Sequence, residues 1–133
     1  MRYMLDTNTV SHILKGTSAA VRQRLLAVPM AQLSISAVTE GELLFGLAKR
    51  PEAVKLHHLV KQFLLRVDVD PWDRRAASHY GAMRATLERS GQCLGNLDLM
   101  IAAHAAATDK VLVSNDQAFG RVPGVQVQDW TQG

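Results

Sequence analysis

A single three-layer α/β/α domain with a mostly parallel sheet is the fold class this sequence predicts, on three observations. Short β-rich apolar runs alternate with longer segments of helical period, the pattern of successive βαβ units. The chain has 133 residues, enough for one hydrophobic core and too few for two. Apolar residues make up 47% and charged residues 20% of it, the globular average, which excludes disorder and low complexity. No repeat and no long linker divides the chain, so residues 1–133 are read as one domain.

The elements follow in order. Tyr3-Met4-Leu5, Leu33-Ser34-Ile35, Val67 to Val69, Val111-Leu112-Val113 and Val125 to Val127 read as strands. Asp6 stands at the first strand's end, where it would cap a following helix. Ser36 is the N-cap expected for a helix over Ala37–Ala48, and Lys49-Arg50-Pro51 closes that helix. Leu56, Leu59, Val60, Phe63 and Leu64 recur with helical period, as do Ala76, Tyr80, Met83 and Leu87. Asp73 caps the second of these, which runs towards Ser90-Gly91. Leu97, Met100, Ile101, His104 and Ala105 mark a further helix. Tyr80 and Met83 read as core, Trp72 as a partly exposed packing residue, and Trp130 as an anchor for the tail.

Composition narrows the function classes. The net charge is +3, and it is concentrated: nine Lys/Arg against five Asp/Glu lie between Lys49 and Arg89. A basic middle invites a polyanionic partner, although solvated helix faces are also often basic. The lone Cys93 builds neither a disulfide framework nor a cysteine zinc site, which points to a reducing cytoplasm and away from secretion. No apolar run approaches the ~18 residues of a membrane span. The five histidines form no H-x-x-x-H or H-E-x-x-H pattern, and His104 reads as a packing residue. Neither a G-x-S-x-G elbow nor a Gly-rich phosphate loop is present. Seven aromatic residues are too few for a broad base-stacking platform.

In this fold class, chemistry sits at the C-terminal ends of the parallel strands. Asp6 follows the first strand, Glu42 lies one to two turns into the helix after the second, and Asp116 follows the fourth. Asp98 opens the helix leading into the fourth strand, so its end lies at the same edge. Each acid also has a plain reading. Asp6 and Asp98 suit helix N-termini, Thr39-x-x-Glu42 fits a capping box, and Asn115-Asp116 is ordinary turn chemistry. As a set they are harder to dismiss. Glu42 stands between Gly41 and Gly46, and each glycine costs a helix roughly 1 kcal/mol. Gly46, one turn on, would leave room for a ligand or another backbone. Converging carboxylates repel unless a cation lies between them, and oxygen-only ligands select Mg²⁺ or Mn²⁺ over zinc.

Asp6-Thr7-Asn8, Glu42-Leu43-x-x-Gly46, Asp98-x-x-Ile101-Ala102-Ala103 and Ser114-Asn115-Asp116-x-x-Phe119 together resemble the PIN-domain nucleases, and more narrowly the VapC toxins of bacterial toxin–antitoxin pairs. The tail from Arg121-Val122-Pro123-Gly124-Val125 to Asp129-Trp130 looks similar too, so the resemblance spans essentially the whole chain. It implies a PIN-like fold and a metal-dependent endoribonuclease acting on structured RNA, with tRNA the commonest substrate. It also implies a homodimer silenced by a VapB-like antitoxin. Residue by residue, Asp6, Glu42, Asp98 and Asp116 match the acidic metal-binding positions, and Thr7, Asn8 and Ser114 match their polar supports. Many relatives have an acid where this chain has Ala118, which favours one well-held ion over two. Glu40 is an extra acid nearby. Arg66, Arg74, Arg75, Arg84 and Arg89 are the candidates for contact with the RNA backbone.

Two rival readings make different demands. A receiver-like phosphoacceptor domain would use Asp70, read as following the third strand, but Asp6 has no adjacent acidic partner and no lysine follows the last strand. A non-catalytic nucleic-acid-binding module would use the basic middle alone and need neither metal nor acids.

Overall fold

A computed structural model describes residues 1–132. Its elements are β1 (Tyr3–Leu5), α1 (Thr7–Lys15), α2 (Ala19–Ala27), β2 (Leu33–Ser36), α3 (Ala37–Ala48), α4 (Val54–Arg66), β3 (Asp68–Asp70), α5 (Arg74–Arg89), α6 (Asn96–Ala107), β4 (Val111–Val113) and β5 (Val127–Gln128). The sheet order is β3-β2-β1-β4-β5, and every pairing is parallel. From β1 the chain builds outward through β2 to β3, then returns to place β4 on the other side of β1. The β1/β4 boundary is therefore the topological switch point, where α/β folds open a crevice beyond the strand ends.

The strands are short and mostly buried, so alternate side chains feed two cores. Met4 and Leu112 point into one with Met83, Leu87, Leu99, Ile101 and Phe119, beneath α5 and α6. Leu5, Leu33, Ile35 and Val113 point into the other with Val10, Val21, Leu43 and Val60, beneath α1 to α4. Caps set the helix starts: Asp6 accepts from Thr9 N–H, Ser18 from Val21 N–H, Ser36 from Val38 N–H, and Asp73 from Arg75 and Ala76 N–H. Gly16 ends α1 in the left-handed conformation at φ 62°, which glycine adopts without a Cβ penalty.

Some expectations shift. The third strand is Asp68–Asp70 rather than Val67 to Val69, because Val67 turns into the α-helical core while Ser36 pairs with Asp70. The fifth is Val127–Gln128, with Val125 packed on the α5/α6 core instead of in the ladder. Helix α2 carried no clear period in the sequence. Trp130 does anchor the tail: it is buried, edge-on to Tyr3, with Arg24 over its ring. Trp72 is half-buried and donates its indole N–H to the Met100 carbonyl. Among the described residues no helix is long and apolar enough to cross a membrane.

Candidate active site

Four elements deliver the four carboxylates to one rim. Asp6 leaves the end of β1, tied by its own N–H to the Val113 carbonyl of β4 (3.0 Å). Its Oδ1 accepts the Thr9 N–H at 2.8 Å, so the capping role is real and occupies one carboxylate oxygen. Asp116 follows β4; its N–H donates to Ser114 Oγ (3.0 Å) and its Oδ1 accepts from Ala118 N–H (2.9 Å). Asp98 lies in the first turn of α6 and Glu42 in the second turn of α3. Asp6 is buried, while Glu42, Asp98 and Asp116 are half-buried.

The charge state of Asp98 reports the convergence. Its pKa is raised, first by burial and then by the negative charges of Glu42, Asp116 and Asp6. Acids 18 to 92 residues away in sequence act on it because the fold brings them to the same rim. Among the described residues, no group of three or more His, Cys, Asp or Glu side chains closes into a cluster able to hold a metal ion. The donor set is nonetheless all oxygen, which suits a hard divalent cation.

The polar supports divide. Thr7 Oγ1 donates to Glu42 Oε1 at 2.6 Å and lies 3.3 Å from Thr39 Oγ1, clamping the start of α1 to α3. That contact removes the capping-box reading of Thr39 and Glu42, since Ser36 is the N-cap and Thr39 lies inside the helix. Ser114 is buried and holds Asp116. Asn8 is exposed and lines a groove with Ser11, Lys15 and Asn115. Glu40 sits in the first turn of α3, where its charge favours the helix start. Gly46 lines a groove with Thr7 and Glu42, and a Cβ there would meet nothing within 4 Å. Its room is thus open space, not the approach of another backbone.

The basic candidates scatter. Arg66 ends α4 just before β3, at the sheet edge opposite the carboxylates. Arg84 bonds Glu88 and the Tyr80 hydroxyl, and Arg89 bonds Thr86, all within α5. Arg74 and Arg75 are exposed at the start of α5. The cations beside the acidic site are instead Lys15, Lys49 and Arg50, which line one groove with Thr7, Glu42 and Gly46. Helix ends brought them there; no sequence motif pointed to them.

Asp70 is the last residue of β3, not a residue beyond it, and it is already engaged. The buried Lys110 ammonium donates to Asp70 Oδ2 and to Ser34 Oγ (3.0 Å). Asp70, the acid the receiver-like reading would phosphorylate, is thus engaged in an ion pair rather than free. Cys93 is exposed.

Comparison with known proteins agrees in family and fold. A PIN domain family model matches residues 3–125. The tRNA(fMet)-specific endonuclease VapC of Shigella flexneri is 36% identical over 132 residues, covering 98% of this chain and 99% of the relative. Ribonuclease VapC2 of Haemophilus influenzae strain Rd is 30% identical, with 98% of each chain covered. The structure of DNA-bound VapBC from Salmonella typhimurium superposes with a TM-score of 0.91 at 35% identity, covering 98% of both chains. VapBC2 from Rickettsia felis, bound to a DNA fragment from its promoter, gives 0.90 at 28% identity, over 98% of this chain and 99% of that one.

Proposed function

This chain belongs to the PIN-domain family and within it to the VapC ribonucleases, and from that premise we propose that it is a metal-dependent endoribonuclease, the toxin of a toxin–antitoxin module. Its substrate is structured RNA, with tRNA the class named for its relatives. The observation that carries the chemistry is the raised pKa of Asp98 in the field of Glu42, Asp116 and Asp6.

Asp6, Glu42, Asp98 and Asp116 would hold a Mg²⁺ or Mn²⁺ ion. When bound, such an ion supplies a water of lowered pKa and neutralises charge on a scissile phosphate. The protein's own part is orientation. Thr7 directs Glu42, Ser114 directs Asp116, and the Asp6 cap fixes one carboxylate oxygen at the end of β1. Lys15, Lys49 and Arg50 attract the RNA backbone towards a rim that is itself acidic. Ala118, where an acid would add a ligand, favours one ion.

The partner is a VapB-like antitoxin, as the VapBC assemblies of the relatives support.

The deciding experiment is cleavage of tRNA by purified protein with Mg²⁺, with EDTA, and with the Asp6→Asn variant. Water attacking phosphorus directly leaves 5′-phosphate and 3′-hydroxyl ends and requires metal. Cyclic-phosphate ends formed in excess EDTA, or wild-type cleavage by Asp6→Asn, would overturn the reading.

A further inference from the structure

We propose that His104 is a positioning residue for the acidic rim, acting through Ser36 to hold α6 and α3 in the relation that lets Asp98 and Glu42 share one site. This rests on the ribonuclease reading above. His104 lies on α6 with 1% of its surface exposed, and its Nδ1 is 2.7 Å from Ser36 Oγ. Ser36 is fully buried and accepts the Val38 N–H at 3.1 Å as the N-cap of α3. Having accepted that N–H, the hydroxyl still has its own proton to donate, so Nδ1 is the acceptor. The ring proton then sits on Nε2. Burial holds the pKa of the ring down and favours this neutral form.

The tie joins the two helices that carry opposing charges. Asp98 is six residues before His104 on α6, and Glu42 is six residues after Ser36, each about 9 Å along its helix. Asp98 in the first turn of α6 and Glu42 in the second turn of α3 carry like charges, which push the two helices apart. The hydrogen bond between the helices opposes that push at a point remote from the reacting atoms. It fixes the relation of the two helices that carry Asp98 and Glu42. Asp70, Asp73 and Lys110 are the charged groups facing the imidazole, and Lys110 is already bound to Asp70.

Two variants separate positioning from packing. His104→Asn keeps an acceptor near Nδ1 for Ser36, whereas His104→Gln places its amide near Nε2 and loses the Ser36 bond. Full-length proteins are compared for tRNA kcat and KM, for Mn²⁺ affinity by calorimetry, and for Tm. The expected result for His104→Gln is a kcat at least tenfold lower and a several-fold weaker Mn²⁺ affinity, with KM little changed. His104→Asn recovers most of both at a similar Tm. Wild-type kcat and Mn²⁺ affinity in His104→Gln would overturn the proposal. So would equal losses in both variants that track Tm. Failure of the wild type to cleave RNA would instead sink the ribonuclease reading, while the Mn²⁺ affinities still decide the role of His104.

Discussion

Thr7 Oγ1 donates to Glu42 Oε1 at 2.6 Å, joining the first residue of α1 to the second turn of α3 across 35 residues of chain. A short bond from a hydroxyl to a carboxylate is charge-assisted, and it fixes the rotamer of an otherwise mobile acid. Glu42 would otherwise swing away from Asp98, which repels it. Thr7→Val keeps the shape and deletes the donor. Cleavage should fall about tenfold or more, with kcat affected more than KM and the fold retained. Unchanged kcat would show that Glu42 needs no support.

Asp98 links activity to stability in opposite senses. Its pKa is raised in the fold, so its penalty is absent below the unfolded value of about 4 and grows as pH rises through the folded value. Asp98→Asn should therefore lose cleavage yet unfold at a higher temperature than wild type at pH 7. That gain should vanish near pH 4. Melting curves across this range check it, and a lower Tm at pH 7 would contradict it.

The cationic groove predicts which bases meet RNA. Replacing Lys15, Lys49 and Arg50 by Gln should weaken RNA binding and flatten its salt dependence, by roughly 0.7 to 0.9 in slope for each lost phosphate contact. Neutralising Arg66, Arg84 and Arg89 should change the slope less, because they lie at the far edge or are engaged within α5. Binding titrations at several salt concentrations distinguish the two sets. The reverse order would assign the role to the arginines of α4 and α5.

Lys110 and Asp70 predict a stability coupling away from the chemistry. The Lys110 side chain is 3% exposed and that of Asp70 22%. Lys110→Met leaves Asp70 without its partner and should cost about 1–3 kcal/mol. Adding Asp70→Asn should recover part of that loss. Chemical denaturation of both variants checks the cycle, and strict additivity would show that the pair does not interact.

Much of the fold was legible because its signals are local. Apolar runs marked the strands, and the side chains of Ser36 and Asp73 marked helix starts, each needing only a few neighbours to act. The four acids could be placed at one edge because a parallel sheet with crossover helices sends every strand end and following helix start there.

What the sequence alone determined, then, is the family, the three-layer architecture and the candidate acids, all carried by short-range pattern and motif. Only the tertiary structure decided which partners those acids have. Thr7 meets Glu42, His104 meets Ser36 and Lys110 meets Asp70 across 35, 68 and 40 residues. Such pairs leave no local trace, because a hydrogen bond depends on distance in space and not on spacing along the chain. The same reason gathers Lys15, Lys49 and Arg50 beside Glu42: composition counts charges, but only packing brings the ends of α1 and α3 to one groove.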